Sequence, residues 1–321
     1  MLLSSDYKAP TLLPNGHAET IIPSLFRKVE DLPAYTWERM PTPDADFLDL
    51  GWLKQGSNKL IILSHGLEGD ANRHYIRGMA KVFYEHGFDA LAWNYRGCGE
   101  EMNQQPRFYH SGATDDLHLV VQHALQQGYS EITLCGFSMG GNISLKYAGE
   151  QGSGIDKAIK QVVAFSVPLN LHTSCIKLST GFNKVYSYRF LKTLKQKVVQ
   201  KEQLMPGTFD LSPMARIQDL TSFDDHYTAP LHGFADAVDY YTQCGAIRFV
   251  ENIQVRTLLV NALNDPFLSP ECFPYEMLRT HPFVHFETPQ RGGHVGFSAS
   301  QHPKGYIWSE LRALAFCTQG Q

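Results

Sequence analysis

The stretch that decides the fold is Glu131-Ile132-Thr133-Leu134-Cys135-Gly136-Phe137-Ser138-Met139-Gly140-Gly141-Asn142. Its first half is apolar and β-branched, which is typical of a buried strand, and a helical pattern follows it. A turn this tight leaves no room for side chains two positions before and after the serine, and Gly136 and Gly140 meet that demand. The Ser138 hydroxyl would stand at a helix amino terminus, where free N–H groups favour negative charge. A glycine-rich turn that contains serine by chance is the alternative, but the placement between strand and helix favours a nucleophile elbow.

On either side of this stretch, strand-like and helix-like segments alternate. The strand-like segments are 59–64, 89–94, 131–135, 161–166, 257–261 and 284–287. Helical patterns at 76–86, 114–127 and 142–149 lie between them. This alternation predicts an α/β fold, in which a mostly parallel central sheet has helices on both faces. Segment 47–53 alternates like an antiparallel edge strand that precedes the parallel ones.

The alternation stops between residues 168 and 252, where helical stretches rich in Lys, Gln, Tyr and Phe replace the strands. An insertion of this length is too long for an ordinary loop and too patterned for disorder. We expect a helical cap at 168–252, lying over the carboxyl ends of the strands where α/β sheets hold ligands. The core would then comprise 46–167 and 253–321. The first 45 residues contain several prolines and no period, which indicates an extended arm that packs on the core.

Two further segments supply partners for a nucleophilic serine. Asp265 follows the predicted strand 257–261 in Asn-Asp-Pro, and His294 lies in a glycine-flanked loop after the last strand. His294 would accept the proton of Ser138, and Asp265 would orient the imidazole and stabilise its charged form. A turn-forming aspartate and a surface-loop histidine are reasonable alternatives for each residue alone. All three residues in the order Ser, Asp, His, with both partners at strand carboxyl ends, favour a catalytic triad.

The loop after strand 59–64 reads His65-Gly66-Leu67-Glu68-Gly69-Asp70. A backbone N–H of such a loop, with the N–H after the nucleophile, can stabilise a tetrahedral oxyanion, so Leu67 and Met139 are the expected donors. His65 is expected to shape the loop by hydrogen bonding, because a triad needs only one base. The segment also fits a His-x4-Asp acyltransferase pattern, but two residues at that spacing are weak support.

Composition narrows the function further. The chain has 321 residues, of which 43% are hydrophobic, enough for a large core without disulfides or metal. A net charge of -4 with scattered Lys and Arg argues against a nucleic-acid partner. Six widely separated cysteines, and the lack of a signal-like leader or of an apolar run long enough to span a bilayer, predict a soluble cytoplasmic protein with free thiols.

Other clusters of polar or aromatic side chains have simpler interpretations. Residues 115–116 fit the acidic first turn of a helix better than a catalytic pair. Residues 224–225 are expected to make a polar contact between elements of the cap. His281 and His285 are separated by a proline and a strand entry, so we reject a metal site there. Four aromatic residues could line an acyl pocket or simply pack the cap on the core: Phe182, Tyr186, Tyr188 and Phe190.

Nine short motifs along the chain are shared with one known family: 15–20, 65–69, 94–98, 109–112, 136–142, 223–225, 228–233, 264–266 and 293–297. Through them the chain resembles, across nearly its whole length, the YheT-like branch of the α/β-hydrolase superfamily, which includes ABHD-type lipid esterases. The first motif departs from the family, since Ala18-Glu19 stands where members often have Leu-Gln; no triad residue is affected.

This resemblance implies an esterase or lipase-type enzyme that acts on small-molecule carboxylic esters, lipid esters included. It also implies that the enzyme needs no cofactor, and it points to the same triad of Ser138, Asp265 and His294. An acyltransferase or thioesterase with that triad, and a non-catalytic ligand-binding protein on the same fold, are the alternatives. The intact triad disfavours the binding protein, and a dehalogenase is disfavoured because its elbow would carry Asp in place of Ser138.

Overall fold

A nine-stranded central sheet organises the computed structural model, which describes residues 1–299 and 302–318. Its strands are β1 (Leu2–Leu3), β2 (Thr36–Pro41), β3 (Phe47–Leu53), β4 (Lys59–Ser64), β5 (Asp89–Asn94), β6 (Glu131–Phe137), β7 (Ile159–Phe165), β8 (Arg256–Val260) and β9 (Val284–Glu287). The spatial order is β1-β9-β8-β7-β6-β4-β5-β3-β2. In this spatial order, every pair of neighbours from β1 at one edge to β5 is parallel. Strand β3, which follows β5 in the sheet, is antiparallel to both of its neighbours, β5 and β2. The predicted α/β fold with a mostly parallel sheet is confirmed.

Helices cover both faces of this sheet. They are α1 (Gly16–Phe26), α2 (His74–Tyr84), α3 (Thr114–Gln126), α4 (Met139–Gln151), α5 (Leu171–Leu178), α6 (Lys184–Leu204), α7 (Leu220–Phe223), α8 (Ala229–Leu231), α9 (Ala237–Cys244), α10 (Tyr275–Arg279) and α11 (Trp308–Thr318). One apolar cluster joins the sheet to α3 and α4, and a second joins its other face to α2 and α11. The central strands are therefore buried on both sides, as their unbroken apolar sequences predict.

The first 45 residues differ from the predicted extended arm. They contain helix α1, which begins where the Asn15 side chain accepts a hydrogen bond from the Ala18 N–H. They also contain β2, which pairs outside β3, so β3 is not the sheet edge. The prediction of an extended arm rested on the prolines and did not take account of the N-cap signal at Asn15.

Between β7 and β8 the described chain contains helices and no strand. We refer to residues 168–252 as the cap. Its longest helix, α6, contacts loops that follow three parallel strands: Tyr186 packs against Phe267 after β8, Lys197 pairs with Glu68 after β4, and Lys201 donates to the Asn103 carbonyl after β5. This part of the cap thus lies at the carboxyl ends of the strands.

Candidate active site

Ser138 occupies the sharp turn between β6 and α4, with a backbone φ of 54° and ψ of -120°. A left-handed φ is unusual for a residue with a side chain, and such strain is common at functional positions. A Cβ at Gly136 would lie 2.2 Å from the Gly140 carbonyl oxygen, and a Cβ at Gly140 would lie 2.2 Å from the Ser64 carbonyl oxygen. Both positions therefore require glycine, as the tight turn predicts.

The three residues expected to form a triad are brought together by the fold. The Ser138 Oγ lies 2.8 Å from the His294 Nε2, and the His294 Nδ1 lies 2.9 Å from one carboxylate oxygen of Asp265 and 3.1 Å from the other. Asp265 is buried, so its carboxylate accepts from Nδ1 with little competition from water. With Nδ1 donating to the carboxylate, Nε2 is left to accept the serine proton.

The strand order explains why residues so far apart in the chain meet. Ser138 follows β6, Asp265 follows β8 and His294 follows β9, and the carboxyl ends of these parallel strands lie along one edge of the sheet. The ring of Phe267 stacks on the His294 imidazole with centroids 3.9 Å apart, which limits rotation of the imidazole. The Phe267 N–H also donates to Asp265 at 2.8 Å, so one residue braces both partners of the serine.

The two expected oxyanion donors border the serine. A Cβ at Gly66 would lie 3.2 Å from the Ser138 Cβ, which places the loop directly against Ser138. The neighbouring amides are engaged: the Gly66 N–H donates to the Tyr75 hydroxyl and the Glu68 N–H to the Tyr109 hydroxyl. Within residues 1–299 and 302–318, no acceptor meets the N–H of Leu67 or Met139. Both amides therefore keep a hydrogen-bond donor without an acceptor in this part of the chain.

His65 is buried, and both of its ring nitrogens contact backbone groups. Its Nδ1 lies 2.8 Å from the Gly66 carbonyl oxygen, and the Tyr95 N–H donates to its Nε2 at 3.4 Å. Burial lowers the pKa of His65 to about 3, so the imidazole is neutral and has no free nitrogen for a substrate. This geometry agrees with the structural interpretation and removes support from the His-x4-Asp acyltransferase pattern.

Helix α1 holds the two loops that carry Asp265 and His294, and the sequence patterns did not predict this contact. Glu19 is 0% exposed and accepts hydrogen bonds from the Asn264 Nδ2 at 2.6 Å and the Gly292 N–H at 3.0 Å. Thr20, the next residue, accepts from the His294 N–H at 2.8 Å. The family motif at 15–20 was a sequence signal that this segment has a role, but it did not single out Glu19 as a buried acceptor.

Among the aromatic residues of the cap, burial separates two groups. Phe182 and Tyr188 are 55% and 71% exposed, so they do not line a closed pocket. Tyr186 and Phe190 face inward and contact Phe267, with ring centroids 4.8 and 6.1 Å away. Only the second group therefore reaches the neighbourhood of the triad.

The polar clusters make contacts that hold the fold. Asp115 and Asp116 lie in the first turn of α3, as predicted, and pair with Arg107 and Arg96. In the cap, Asp224 accepts from the Tyr241 hydroxyl and residue 225 accepts from the N–H at 237, so these carboxylates do join separate elements. No group of three or more His, Cys, Asp or Glu suited to a metal ion occurs among the described residues.

Two cavities open between the cap and the core. One, of about 320 Å³ including open solvent, is lined mainly by aromatic and aliphatic side chains and by Lys197 and His232. The other, of about 760 Å³ including open solvent, is polar and is lined by Arg107, His110, Thr114, Asp115 and His232 among others. Neither cavity is lined by Ser138, Asp265 or His294.

Comparison with known proteins places this geometry in a family. Residues 55–271 match the family described as "Serine aminopeptidase, S33". The protein named "Putative esterase YheT" from Escherichia coli (strain K12) is 33% identical over 93% of this chain and 88% of its own length. Phospholipase ABHD3 of Mus musculus is 28% identical, with 84% of this chain and 68% of the relative covered.

Solved structures agree at the level of the fold. The Pyrococcus furiosus esterase Pf2001 superposes with a TM-score of 0.59 at 18% identity, and the match covers 90% of this chain and 94% of the esterase. No helix in residues 1–299 or 302–318 combines the length and apolar character needed to cross a membrane. From the family match, the relatives and the fold together, the chain belongs to the YheT-like branch of the α/β-hydrolase superfamily, whose members are esterase- and lipase-type hydrolases.

Proposed function

We propose that the chain is a serine hydrolase that cleaves carboxylic esters through an acyl-enzyme on Ser138. The observation that carries this proposal is the continuous hydrogen-bonded series from Ser138 through His294 to Asp265, with distances of 2.8 and 2.9 Å. Distances in this range allow proton transfer without rearrangement of the site. The two unoccupied amides beside the serine supply the complementary half of the machinery.

In the proposed mechanism, the Ser138 oxygen attacks the ester carbonyl carbon while the His294 Nε2 accepts the serine proton. The carbonyl oxygen becomes an oxyanion and accepts hydrogen bonds from the Leu67 and Met139 N–H groups. Asp265 holds Nδ1 and stabilises the imidazolium. The imidazolium then gives its proton to the departing alcohol oxygen, the C–O bond breaks, and the acyl group stays on Ser138. Water, deprotonated by His294, repeats the sequence and releases the acid.

The environment of the site supports an apolar acyl group. Phe267 stacks on the imidazole, and Tyr186 and Phe190 of the cap pack on Phe267, so aromatic side chains connect the imidazole to the cap. Pockets lined by aromatic side chains with few polar groups suit hydrocarbon portions of a ligand. Relatives named as a phospholipase and, in Saccharomyces cerevisiae, as a monoacylglycerol lipase (23% identical over 74% of this chain) support lipid esters as the substrate class.

A panel of p-nitrophenyl esters of increasing chain length tests this function. We expect turnover by the wild-type protein, with kcat/KM peaking at one chain length, and a loss of at least about 10³-fold in Ser138→Ala. Absence of turnover across the panel would refute ester hydrolysis. An amino-acid p-nitroanilide and an added alcohol acceptor, included in parallel, would reveal amide cleavage or acyl transfer if either exceeded ester hydrolysis.

We also propose a reducing, cytoplasmic location. All six cysteines are free, four of them buried, and disulfides are rare where thiols are kept reduced. Fractionation of cells that produce the tagged chain tests this proposal, and recovery outside the cytoplasmic fraction would overturn it.

A further inference from the structure

A buried ion pair joins the cap to the loop that carries one oxyanion donor. The Lys197 Nζ, on α6, lies 2.7 Å from the Oε1 of Glu68, and the two side chains are only 17% and 7% exposed. Glu68 immediately follows Leu67, the proposed donor, and has a left-handed φ of 53°. A glutamate in this conformation is strained, so surrounding contacts must hold it there.

Tyr109 closes this arrangement around Glu68. Its hydroxyl accepts from the Glu68 N–H at 3.0 Å and donates to the same carboxylate oxygen that Lys197 contacts, at 2.6 Å. The Lys197 ammonium also lies 5.2 Å from the centroid of the Tyr109 ring and 3.2 Å from the Cys98 sulfur. Burial alone would lower the pKa of Lys197, but the adjacent Cys98 and Glu68 hold that pKa above its usual value, so the ammonium stays charged.

Helix α6 reaches both halves of the proposed machinery. Near its start, Tyr186 and Phe190 pack on Phe267, which stacks on His294. Lys197 lies about 16 Å from Tyr186 along the helix axis, at about 1.5 Å per residue, and contacts the loop that carries Leu67. A displacement of the cap helix would therefore disturb the general base and the oxyanion donor together.

The charge of Glu68 adds an electrostatic reason for the pairing. An unpaired carboxylate one residue from Leu67 would repel the negative charge that develops on the substrate oxygen. The ammonium of Lys197 cancels that charge while anchoring the loop. Because the pair is buried, water and salt would screen the charge of Glu68 only weakly if Lys197 were absent.

We propose that Lys197 is a positioning residue for ester hydrolysis: through Glu68 it couples the docked cap to a correctly placed and electrostatically neutral oxyanion loop. The inference rests on the proposed function of Ser138. It goes beyond that function in assigning the cap a part in transition-state stabilisation as well as in substrate selection.

The test compares Lys197→Met, Glu68→Gln and the double variant with Lys192→Met, an exposed lysine on the same helix, as matched control. Each is assayed with p-nitrophenyl butyrate for kcat and KM. We expect Lys197→Met to lower kcat about 10- to 100-fold with KM within about threefold, because oxyanion donors act in the transition state. Adding Glu68→Gln should restore kcat about fivefold but leave it below the wild-type value, since it removes the unpaired charge while the anchoring contact stays lost. Lys192→Met should match the wild type, and Lys197→Arg should retain most activity.

Three results would overturn the proposal: a wild-type kcat in Lys197→Met, a change confined to KM, or no recovery in the double variant. If Lys197→Met does not fold, as judged by thermal melting, Glu68→Ala removes the same contact from the loop side, and a wild-type kcat there is equally contradictory. Wild-type protein that neither turns over esters nor reacts with a fluorophosphonate at Ser138 would refute the proposed function itself. That outcome is distinct from an active wild type with unaffected variants.

Discussion

Replacing Glu19 by alanine removes the carboxylate through which helix α1 holds the Asp265 and His294 loops. The substitution leaves the Asn264 Nδ2 and the Gly292 N–H without the acceptor that they now share. Because Glu19 is 0% exposed, water cannot readily replace it, and each orphaned donor costs about 1–3 kcal/mol. We therefore expect Glu19→Ala to lower the free energy of unfolding by about 2–6 kcal/mol.

A conservative variant separates charge from shape. Glu19→Gln keeps an acceptor oxygen but loses the ion pair with Arg291, whose side chain is 37% exposed and can turn to solvent. Its expected cost is about 1–2 kcal/mol, since charge-assisted hydrogen bonds are roughly twice as strong as neutral ones. Because the two loops carry Asp265 and His294, kcat should fall less in Glu19→Gln than in Glu19→Ala, where we expect a loss of about 10-fold or more.

Urea unfolding followed by tryptophan fluorescence measures the stability, and hydrolysis of p-nitrophenyl butyrate measures kcat. Glu30→Ala, at an exposed glutamate in the segment between α1 and β2, is the matched control and should change neither. If Glu19→Ala unfolded at the wild-type urea concentration and kept the wild-type kcat, the assigned role of α1 would be wrong.

Three further predictions address the elbow, the cap and the imidazole. A Cβ at Gly140 would lie 2.2 Å from the Ser64 carbonyl oxygen, so Gly140→Ala should abolish ester turnover. It should also lower the free energy of unfolding, measured by urea unfolding, by about 3 kcal/mol or more. An active and stable variant would contradict the requirement for glycine at this position. Burial raises the pKa of Asp224 from its usual 3.8 to about 6, so the folded protein holds this proton more tightly than the unfolded chain does. The contribution of this carboxyl to the free energy of unfolding is therefore highest below pH 3.8 and falls as the pH rises through about 6, where the folded carboxyl loses its proton. The melting temperature of Asp224→Asn relative to wild type should accordingly be higher at pH 8 than at pH 5; an equal difference at both would argue against a buried protonated carboxyl. Phe267→Leu removes the ring stacked 3.9 Å from the His294 imidazole and should lower kcat about tenfold. The free energy of unfolding, measured with urea, should fall by less than about 1.5 kcal/mol. An unchanged kcat would show that this stacking does not hold the imidazole in place.

The elbow geometry and the proximity of Ser138, Asp265 and His294 could be predicted from sequence because their requirements are local. Gly136 and Gly140 are demanded by backbone collisions within one turn, and each triad residue follows a strand recognisable from its own composition. Once the strands are parallel, their carboxyl ends share one edge of the sheet, so Ser138, Asp265 and His294 converge without any knowledge of side-chain packing.

The supporting contacts could not be predicted, because they join residues distant in the chain. Glu19 and Asn264 are 245 positions apart, and Lys197 and Glu68 are 129 apart. Nothing in the composition around Glu19 distinguishes a buried acceptor from a surface acid, and a helix with six Lys or Arg residues resembles a solvated face. Which lysine turns inward depends on how α6 packs on the core, and that is a property of the folded chain.

The measurement that tests the central claim most directly is reaction with a fluorophosphonate, followed by peptide mass spectrometry of the folded wild-type protein. Ser138 is predicted to carry the phosphonyl adduct in near-stoichiometric yield, because His294 raises its nucleophilicity and the Leu67 and Met139 amides bind the phosphonyl oxygen. Ser138→Ala should stay unlabelled, and His294→Ala should react at least about 10²-fold more slowly. A folded wild-type protein that acquires no adduct, or acquires it at another serine, would contradict the account.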